Sequence, residues 1–176
     1  MAMARSALRS LIMRERNPTT PLQIMQSLNV MLCRDIPRNM FLTLNVLIWS
    51  AERRELVYTP AGHEHLLVYR GKKRTVDKIK AGGVACGVLE QASAMMKEQR
   101  LQLEPGDQVV LYTDGVTENM DIMHEQFGLD RVIKLIEKHG TLGPKALLDT
   151  LVAELVAHRG AADPHDDITL VALKAT

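Results

Sequence analysis

Two short apolar segments, each adjoining acidic residues, constrain most strongly how this chain folds. Residues 109–113 are rich in β-branched and aromatic side chains and lead directly into Asp114. Near the other end, Asp166 and Asp167 lead into a similar run at 168–173. Both runs have the composition of β-strands. If the two strands are neighbours in one sheet, Asp114 and Asp166 converge, and carboxylate ligands of this kind suit Mg²⁺ or Mn²⁺.

The composition fits one globular domain and excludes several function classes. The 176 residues are 46% hydrophobic but only 3% aromatic, so the core is aliphatic. The 22 basic and 21 acidic residues leave a net charge of +1, which gives no electrostatic reason to expect binding to nucleic acid or to an anionic membrane. No apolar run reaches the roughly 18 residues of a membrane span, and the first residues do not resemble a signal peptide.

The two cysteines, Cys33 and Cys86, form neither a C-x-x-C pair nor a cluster with histidines. We interpret them as two buried thiols of a cytoplasmic protein, with a single disulfide between them as the alternative.

Hydrophobic periodicity predicts an α+β fold with a mostly antiparallel sheet. Helical spacing of apolar residues predicts two helices before the strands and two after most of them. Short polar turns between the strands favour hairpins, which give antiparallel pairing. The predicted helices are 3–15, 21–35, 125–139 and 143–158, with Thr20 as cap of the second. The predicted strands are 41–49, 56–59, 66–69, 75–79, 94–103, 109–113 and 168–173.

The acidic segments also have purely structural interpretations. Asp-Gly after a strand is often only a turn, and Asp166-Asp167 could be a solvated loop. Two features favour chemistry: a carboxylate at the edge of a buried strand is costly unless it is compensated, and two adjacent like charges are relieved by a divalent cation. His63 and His165 are interpreted as a turn residue and an exposed loop residue. The sequence contains no G-x-S-x-G elbow and no phosphate-binding glycine loop.

Six segments, in this order and spacing, resemble bacterial protein serine phosphatases of the SpoIIE/RsbU type, within the PP2C (PPM) superfamily. The Thr-Asp-Gly-Val-Thr-Glu and Asp-Asp-Ile-Thr segments are specific as a pair. The resemblance implies an α-β-β-α sandwich of mostly antiparallel sheets flanked by helices, with a two-metal centre of Mn²⁺ or Mg²⁺. The segments are 41–44, 61–63, 103–107, 111–118, 127–128 and 166–170.

The resemblance also implies roles for individual residues. Asp114 and Asp166 match catalytic metal ligands of the family. Asp167 is a weaker candidate because its position is often Asn, and Gly115 is a weak candidate that resembles a tight-turn residue beside the metal. The implied reaction is hydrolysis of phosphoserine or phosphothreonine on a regulatory protein, such as an anti-sigma-factor antagonist, by a metal-activated water.

The chain departs from the family pattern at its beginning. Family members carry a Gly-Asp strand end and an Asp-Val-x-Gly-His-Gly-like segment, and residues 1–9 resemble the helix after the second motif. We therefore expect residues 1–176 to be a single, N-terminally incomplete domain whose opening strands, metal-bridging Asp and upstream sensor domain are absent, and which is weakly active or inactive alone.

Two further hypotheses remain. The chain is a non-catalytic regulatory or dimerisation module of the same fold, forming a homodimer through its first helices and sheet edges. Alternatively it is another Mg²⁺-dependent phosphohydrolase, although the Asp-x-Asp strand end of the haloacid-dehalogenase kind is not found at 113–116.

Overall fold

The computed structural model describes residues 2–14, 20–80 and 82–176. Within it the chain forms two compact units. Unit 1 comprises Met1–His63 and Ala81–Gln102, and unit 2 comprises Glu64–Lys80 and Leu103–Thr176. Residue 15, the predicted end of the first helix, lies outside the described residues.

Unit 1 is a three-stranded antiparallel sheet with two helices. The strand order is β1-β2-β5. Its elements are α1 (Ala2–Arg14), α2 (Pro21–Asp35), β1 (Leu44–Ser50), β2 (Glu55–Ala61), a 3₁₀ helix (Glu90–Met95) and β5 (Gln99–Gln102).

Helix α2 begins where the sequence predicts. The Thr20 side chain accepts a hydrogen bond from the Gln23 amide at 3.2 Å, and the Gln23 side chain accepts one from the Thr20 amide at 3.1 Å. This capping box satisfies two amides that the first turn leaves unpaired, and Pro21 supplies a preset φ. The apolar stripe of α2, including Met25, Leu28 and Leu32, is buried in the core of unit 1.

Asn29 of α2 is a fully buried polar residue that holds the segment 87–93. Its amide nitrogen donates to the Leu89 carbonyl at 3.0 Å and to Ser93 Oγ at 2.9 Å. Its carbonyl oxygen accepts from the Gly87 amide at 3.0 Å. Because buried amides are costly without partners, this set of bonds fixes the segment against α2.

Unit 2 is a four-stranded antiparallel sheet in the order β4-β3-β6-β7. Apolar residues of α4 and α5 pack with the sheet residues Leu67, Tyr69, Val110 and Tyr112 in one core. The elements are β3 (Leu66–Arg70), β4 (Thr75–Ile79), β6 (Gln108–Tyr112), α3 (Asp114–Thr117), α4 (Leu129–His139), α5 (Pro144–Arg159) and β7 (Leu170–Lys174).

The predicted order of helices and strands is confirmed, and all the strand pairs are antiparallel. Four boundaries differ clearly from the prediction, beginning with β2. The strand predicted to end at residue 59 continues to Ala61, so Pro60 lies within β2, opposite Asn45. β5 pairs with Glu55–Tyr58, and within the described residues no strand pairs with β2 at Pro60 on that side, so its missing N–H removes no ladder bond.

The predicted strand 94–103 is wrong over its first half, because residues 90–95 form the 3₁₀ helix and only 99–102 pair with β2. The predicted helix at 125 begins instead at Leu129, after Gly128 with a φ of 80°. Strand β1 begins at Leu44 rather than at 41, since Leu42 forms an isolated bridge with Cys86.

Both cysteines are free thiols. Burial, reinforced by the nearby Cys33, raises the pKa of Cys86 to about 12, so its thiol stays protonated. Cys33 is half-buried rather than buried as predicted. No helix in the described part of the chain is long and apolar enough to cross a membrane.

Candidate metal centre

The two acidic segments lie at the same edge of one sheet because β6 and β7 are antiparallel neighbours. Tyr112 at the end of β6 lies opposite Leu170 at the start of β7. The chain leaving β6 reaches Asp114 two residues later, and the chain entering β7 comes from Asp166 and Asp167. The condition on which Asp114 and Asp166 were expected to converge, that the two strands are neighbours in one sheet, is therefore met.

Thr113 links the two segments beyond the last strand pair. Its amide donates to the Thr169 carbonyl at 3.1 Å, and the Thr169 amide donates to Thr113 Oγ1 at 3.0 Å. The same hydroxyl donates to the Asp167 carbonyl at 3.2 Å. One side chain therefore accepts from one segment and donates to it, which fixes the backbone of 167–169 beside that of 113–115. The linking role of Thr113 was not predicted from the sequence. The signal for it is the threonine that each motif contains, Thr113 in one and Thr169 in the other.

Gly115 is the point of closest approach between the segments. A Cβ at this position would lie 2.4 Å from the Asp167 carbonyl oxygen and 3.0 Å from its carbonyl carbon. Both neighbours are backbone atoms, which cannot rotate away, so only glycine fits. The residue predicted as a tight-turn glycine is thus also a packing glycine between the two acidic segments.

Asp114 is the first residue of the short helix α3. Its Oδ1 accepts a hydrogen bond from the Gly115 amide at 3.0 Å. The sequence predicted a carboxylate at the edge of the core whose burial needed compensation. The structure corrects this: the Asp114 side chain is exposed, because the chain turns outward into α3 immediately after β6.

Asp166 and Asp167 are also exposed, and Asp166 Oδ1 accepts from the Asp167 amide at 2.7 Å. In both segments one carboxylate oxygen is held by the next amide along the chain. These contacts orient each carboxylate locally while leaving it at the surface.

The chain after α3 is anchored by a closed loop. Gly128 donates to the Thr117 carbonyl at 2.9 Å, and Phe127 donates to the Asn119 carbonyl at 2.9 Å. The buried Asn119 side chain donates to the Leu155 carbonyl of α5 at 2.9 Å. The bonds hold the C-terminal end of α3 against the core, so Asp114 is positioned from both sides.

Tyr112, next to Thr113, is buried with its ring in the core of unit 2. Burial, with the neighbouring Glu64 carboxylate adding to it, raises the pKa of Tyr112 above its usual range. The phenol therefore stays neutral near neutral pH. Among exposed groups at this end of unit 2, Asp114, Glu118, Asp166 and Asp167 make the surface acidic.

The residues present fit part of a site for a hard divalent cation. Carboxylate oxygens are the ligands that Mg²⁺ and Mn²⁺ prefer, and the two acidic segments meet at a glycine that leaves room for close backbone approach. Among the described residues, no group of three or more His, Cys, Asp or Glu side chains could hold a metal ion. The described part of the two segments thus offers oxygen donors of the right kind but not a complete set of ligands.

The two histidines considered from the sequence, His63 and His165, belong to different units of the fold. His63 belongs to unit 1, where it forms a bridge with Gly82. His165 is exposed on the loop before Asp166, as predicted.

Comparison with known protein families decides which family carries these motifs. The family model described as Stage II sporulation protein E (SpoIIE) matches residues 1–176. The chain belongs to the SpoIIE family. The resemblance inferred from the Thr-Asp-Gly and Asp-Asp-Ile-Thr segments is therefore confirmed.

Curated relatives of this SpoIIE-family chain include a named phosphatase. The chain is 29% identical over 156 residues to the phosphoserine phosphatase RsbU of Bacillus subtilis, covering 88% of this chain and 45% of RsbU. It is 28% identical over 134 residues to protein IcfG of Synechocystis, covering 76% of this chain and 20% of IcfG. The chain thus spans less than half the length of either relative.

Solved structures confirm the predicted fold class. The match to the SiaA-PP2C domain of Pseudomonas aeruginosa covers 98% of this chain and 68% of the solved chain, with a TM-score of 0.84 and 20% identity. The PP2C phosphatase domain of SpoIIE from Bacillus subtilis was solved with a fragment of the regulatory domain; the match covers 98% of this chain and 48% of the solved chain, with a TM-score of 0.77 and 18% identity. The match to RsbX in complex with magnesium covers 97% of this chain and 71% of the solved chain, with a TM-score of 0.64 and 14% identity.

Proposed function

We propose that this SpoIIE-family chain is part of a metal-dependent protein serine/threonine phosphatase. The observation that carries the proposal is the joining of the Thr-Asp-Gly and Asp-Asp-Ile-Thr segments by Thr113 and Gly115. Membership of the family, with RsbU named a phosphoserine phosphatase, supports the same reaction. Residues 1–176 would act within one phosphatase domain, since one family model spans them.

Asp114 and Asp166 would hold the metal, with Asp167 and Gly115 in supporting positions. Mn²⁺ or Mg²⁺ fits their hard oxygen donors, and the structural relative RsbX was solved with magnesium. When bound, the metal supplies Lewis-acid charge to the phosphoryl oxygens and lowers the pKa of the attacking water.

The chain's own residues would organise the site in three ways. Asp114 and Asp166 present carboxylates at an open surface, where a phosphorylated side chain of another protein has access. Thr113 fixes the spacing of the two segments. Gly115 keeps the space between them free of side-chain atoms. In-line attack by water needs no side-chain nucleophile, so positioning and charge carry the catalysis.

The substrate would be phosphoserine or phosphothreonine on a regulatory protein, such as an anti-sigma-factor antagonist. Its phosphatase relative RsbU is longer than the matched segment, and SpoIIE was solved with a fragment of a regulatory domain. We propose that the protein acts in the cytoplasm under the control of a sensor domain in the same polypeptide.

The proposed reaction is tested by phosphate release from a phosphoserine peptide, with the protein in its full genomic length. We expect turnover with Mn²⁺ that EDTA abolishes, and at least a hundredfold loss of kcat in Asp114→Ala. Asp149→Ala, an exposed carboxylate of α5, serves as the control and retains parental turnover. Unchanged turnover in Asp114→Ala would contradict the assignment. A stable dimer that binds no Mn²⁺ and shows no turnover would favour the non-catalytic module.

A further inference from the structure

The β3–β4 hairpin concentrates positive charge in a chain that is otherwise acidic. Residues 70–80 contain six of the 22 Lys and Arg residues and a single acidic residue. Because the whole chain has a net charge of +1, the remainder is net negative. A positive stripe of this kind attracts anionic partners over about one Debye length, about 10 Å at ordinary salt.

Four of these cations are available to a partner. Arg70 pairs with Asp77 and Asp107, and Lys72 pairs with Glu104. The other four are exposed and make no ion pair within the part of the chain that the structure describes; they are Lys73, Arg74, Lys78 and Lys80. This set is named the basic edge.

The backbone of β4 is also available, because β4 is the outer strand of its sheet. The Val76 amide points away from β3 and donates to Glu137 Oε1 of α4 at 3.1 Å. Since backbone groups alternate in direction along a strand, the Lys78 N–H and C=O point the same way. Glu137 therefore closes one position of the edge and leaves Lys78 open to an added strand.

The basic edge lies within reach of the candidate metal centre along the same sheet. Lys78 is opposite Leu67, which is opposite Val110 on β6, and Asp114 follows four residues later. The two strand spacings from β4 to β6 measure about 10 Å across the sheet, and four residues along the chain from Val110 to Asp114 measure about 13 Å. The two lengths are perpendicular, so Lys78 and Asp114 are about 16 Å apart, and an extended peptide of about five to six residues spans that distance.

A separate attractive surface adds to what the metal centre can recognise. Asp114 and Asp166 are exposed and would hold the cation, whose charge offsets theirs and attracts the phosphoryl group. A cationic edge two strands away attracts acidic residues that flank the phosphoserine, without placing positive side chains among the metal ligands. It therefore favours partners with acids near the phosphorylated residue.

We propose that the basic edge binds an acidic segment of the phosphoprotein substrate, which adds to β4 as a further strand while its phosphoserine reaches Asp114 and Asp166. This inference rests on the proposed phosphatase function. Exposed lysines on an edge strand discourage pairing with uncharged or basic strands. An acidic strand satisfies the lysines, so the same charges that oppose aggregation select the partner.

The test uses two phosphoserine peptides, one with Asp and Glu four to eight residues from the phosphoserine on both sides, and one with Asn and Gln there. The parent protein, in its full genomic length with Mn²⁺, is expected to show at least a tenfold higher kcat/KM for the acidic peptide than for the Asn/Gln peptide at low salt. The difference is expected to come from a lower KM rather than from a higher kcat. The quadruple variant K73Q/R74Q/K78Q/K80Q loses this preference and keeps its turnover of p-nitrophenyl phosphate. The double variant K78Q/K80Q is expected to lose part of the preference for the acidic peptide. It keeps the inference testable if the quadruple variant does not fold.

The matched control removes four exposed cations from unit 1, as R38Q/R53Q/R54Q/K97Q, and keeps the preference. Equal kcat/KM for both peptides in the parent, a preference that survives in the hairpin variants, or its loss in the control would each overturn the inference. Binding of anionic vesicles through the hairpin without any peptide preference would also overturn it. Absence of turnover of either peptide or p-nitrophenyl phosphate by the parent would instead contradict the phosphatase function itself.

Discussion

Gly115 shows how a single missing side chain holds the candidate site together. In a helix such as α3, alanine is normally preferred to glycine by about 1 kcal/mol. Here the Cβ of alanine would meet the Asp167 carbonyl oxygen at 2.4 Å. The steric term wins because the obstacle is backbone that Thr113 already holds by two hydrogen bonds. The glycine therefore serves the contact between the acidic segments rather than local helix stability.

Gly115→Ala is expected to push the segment 166–169 away from α3. We expect the free energy of unfolding to fall by about 1–3 kcal/mol, which is typical of overpacking. The free energy of Mn²⁺ binding is expected to fall by a larger fraction of its parental value. Thermal denaturation and metal titration measure the two effects. Gly143→Ala is the control for Mn²⁺ affinity: a Cβ on Gly143 would have no atom within 4 Å and the residue has an ordinary φ of −67°, so the change affects only the N-cap of α5. An equal loss of Mn²⁺ affinity in the two variants would contradict the packing role of Gly115.

At the scale of elements, one buried carboxylate joins two turns at the opposite end of the unit 2 sheet. Asp107 accepts hydrogen bonds from the Gly71 amide at 2.9 Å, the Glu104 amide at 3.1 Å and Arg70 Nη1 at 2.9 Å. In the sequence, Asp107 lies between the predicted strands 94–103 and 109–113, and no structural role was predicted for it. Burial alone would raise the pKa of Asp107, but the two amides and the guanidinium outweigh it and hold the pKa below its usual range.

Asp107→Asn is expected to destabilise the protein by about 2–3 kcal/mol, because an amide group cannot accept from all three donors and leaves Arg70 less compensated. Urea denaturation at neutral pH measures the loss. Asp77→Asn is the control: it removes a partner of the same arginine, but Asp77 is 47% exposed and its loss costs under about 1 kcal/mol. Similar losses of unfolding free energy in Asp107→Asn and Asp77→Asn would contradict the claim that the burial of Asp107 sets the size of the effect.

The same carboxylate gives stability a defined pH dependence. A carboxylate with a depressed pKa in the folded state contributes stability above its unfolded pKa, about 3.9. That contribution disappears as the pH falls through the lower, folded pKa. The difference in unfolding free energy between the parent and Asp107→Asn should therefore narrow as the pH falls below about 4. A difference that stays constant down to about pH 2 would be inconsistent with the depressed pKa.

Local signals predicted some elements well. Thr20-Pro21 marks the start of α2 because the capping box and the proline are adjacent in sequence. The strand predicted at 75–79 matches β4 with its observed bounds. The 3₁₀ helix at 90–95 was not predicted, because bonds from Asn29 and Gln26, more than 60 residues away, hold Ser93 there. The strand predicted to end at 59 stops before Pro60, because whether β2 can contain a proline depends on where its partner β5 ends, and the local sequence does not show this.

The candidate site was predictable to a similar extent. Two acidic strand ends indicated Asp114 and Asp166, and the antiparallel pairing of β6 with β7 brings their segments together. The exposure of Asp114 and the linking role of Thr113 depend on the path of the chain after β6, which no local pattern specifies. Both were found only in the structure.

At the scale of the whole molecule, the central claim is that the two acidic segments form parts of one cation site. The described residues bring together the segments of Asp114, Asp166 and Asp167 without a complete group of ligands. In a shared site, removal of either aspartate weakens the same binding event. In two separate sites, each removal would eliminate a different event.

Calorimetric titration of Mn²⁺ into the protein at its full genomic length tests this most directly. Asp114→Asn and Asp166→Asn keep the side-chain volume and remove the charge, and Asp149→Asn controls for a lost surface carboxylate. We predict that each of the first two variants loses at least a hundredfold in affinity for the same cation, that the double variant loses little more, and that Asp149→Asn binds like the parent. Parental Mn²⁺ binding in Asp114→Asn or in Asp166→Asn would contradict the shared site.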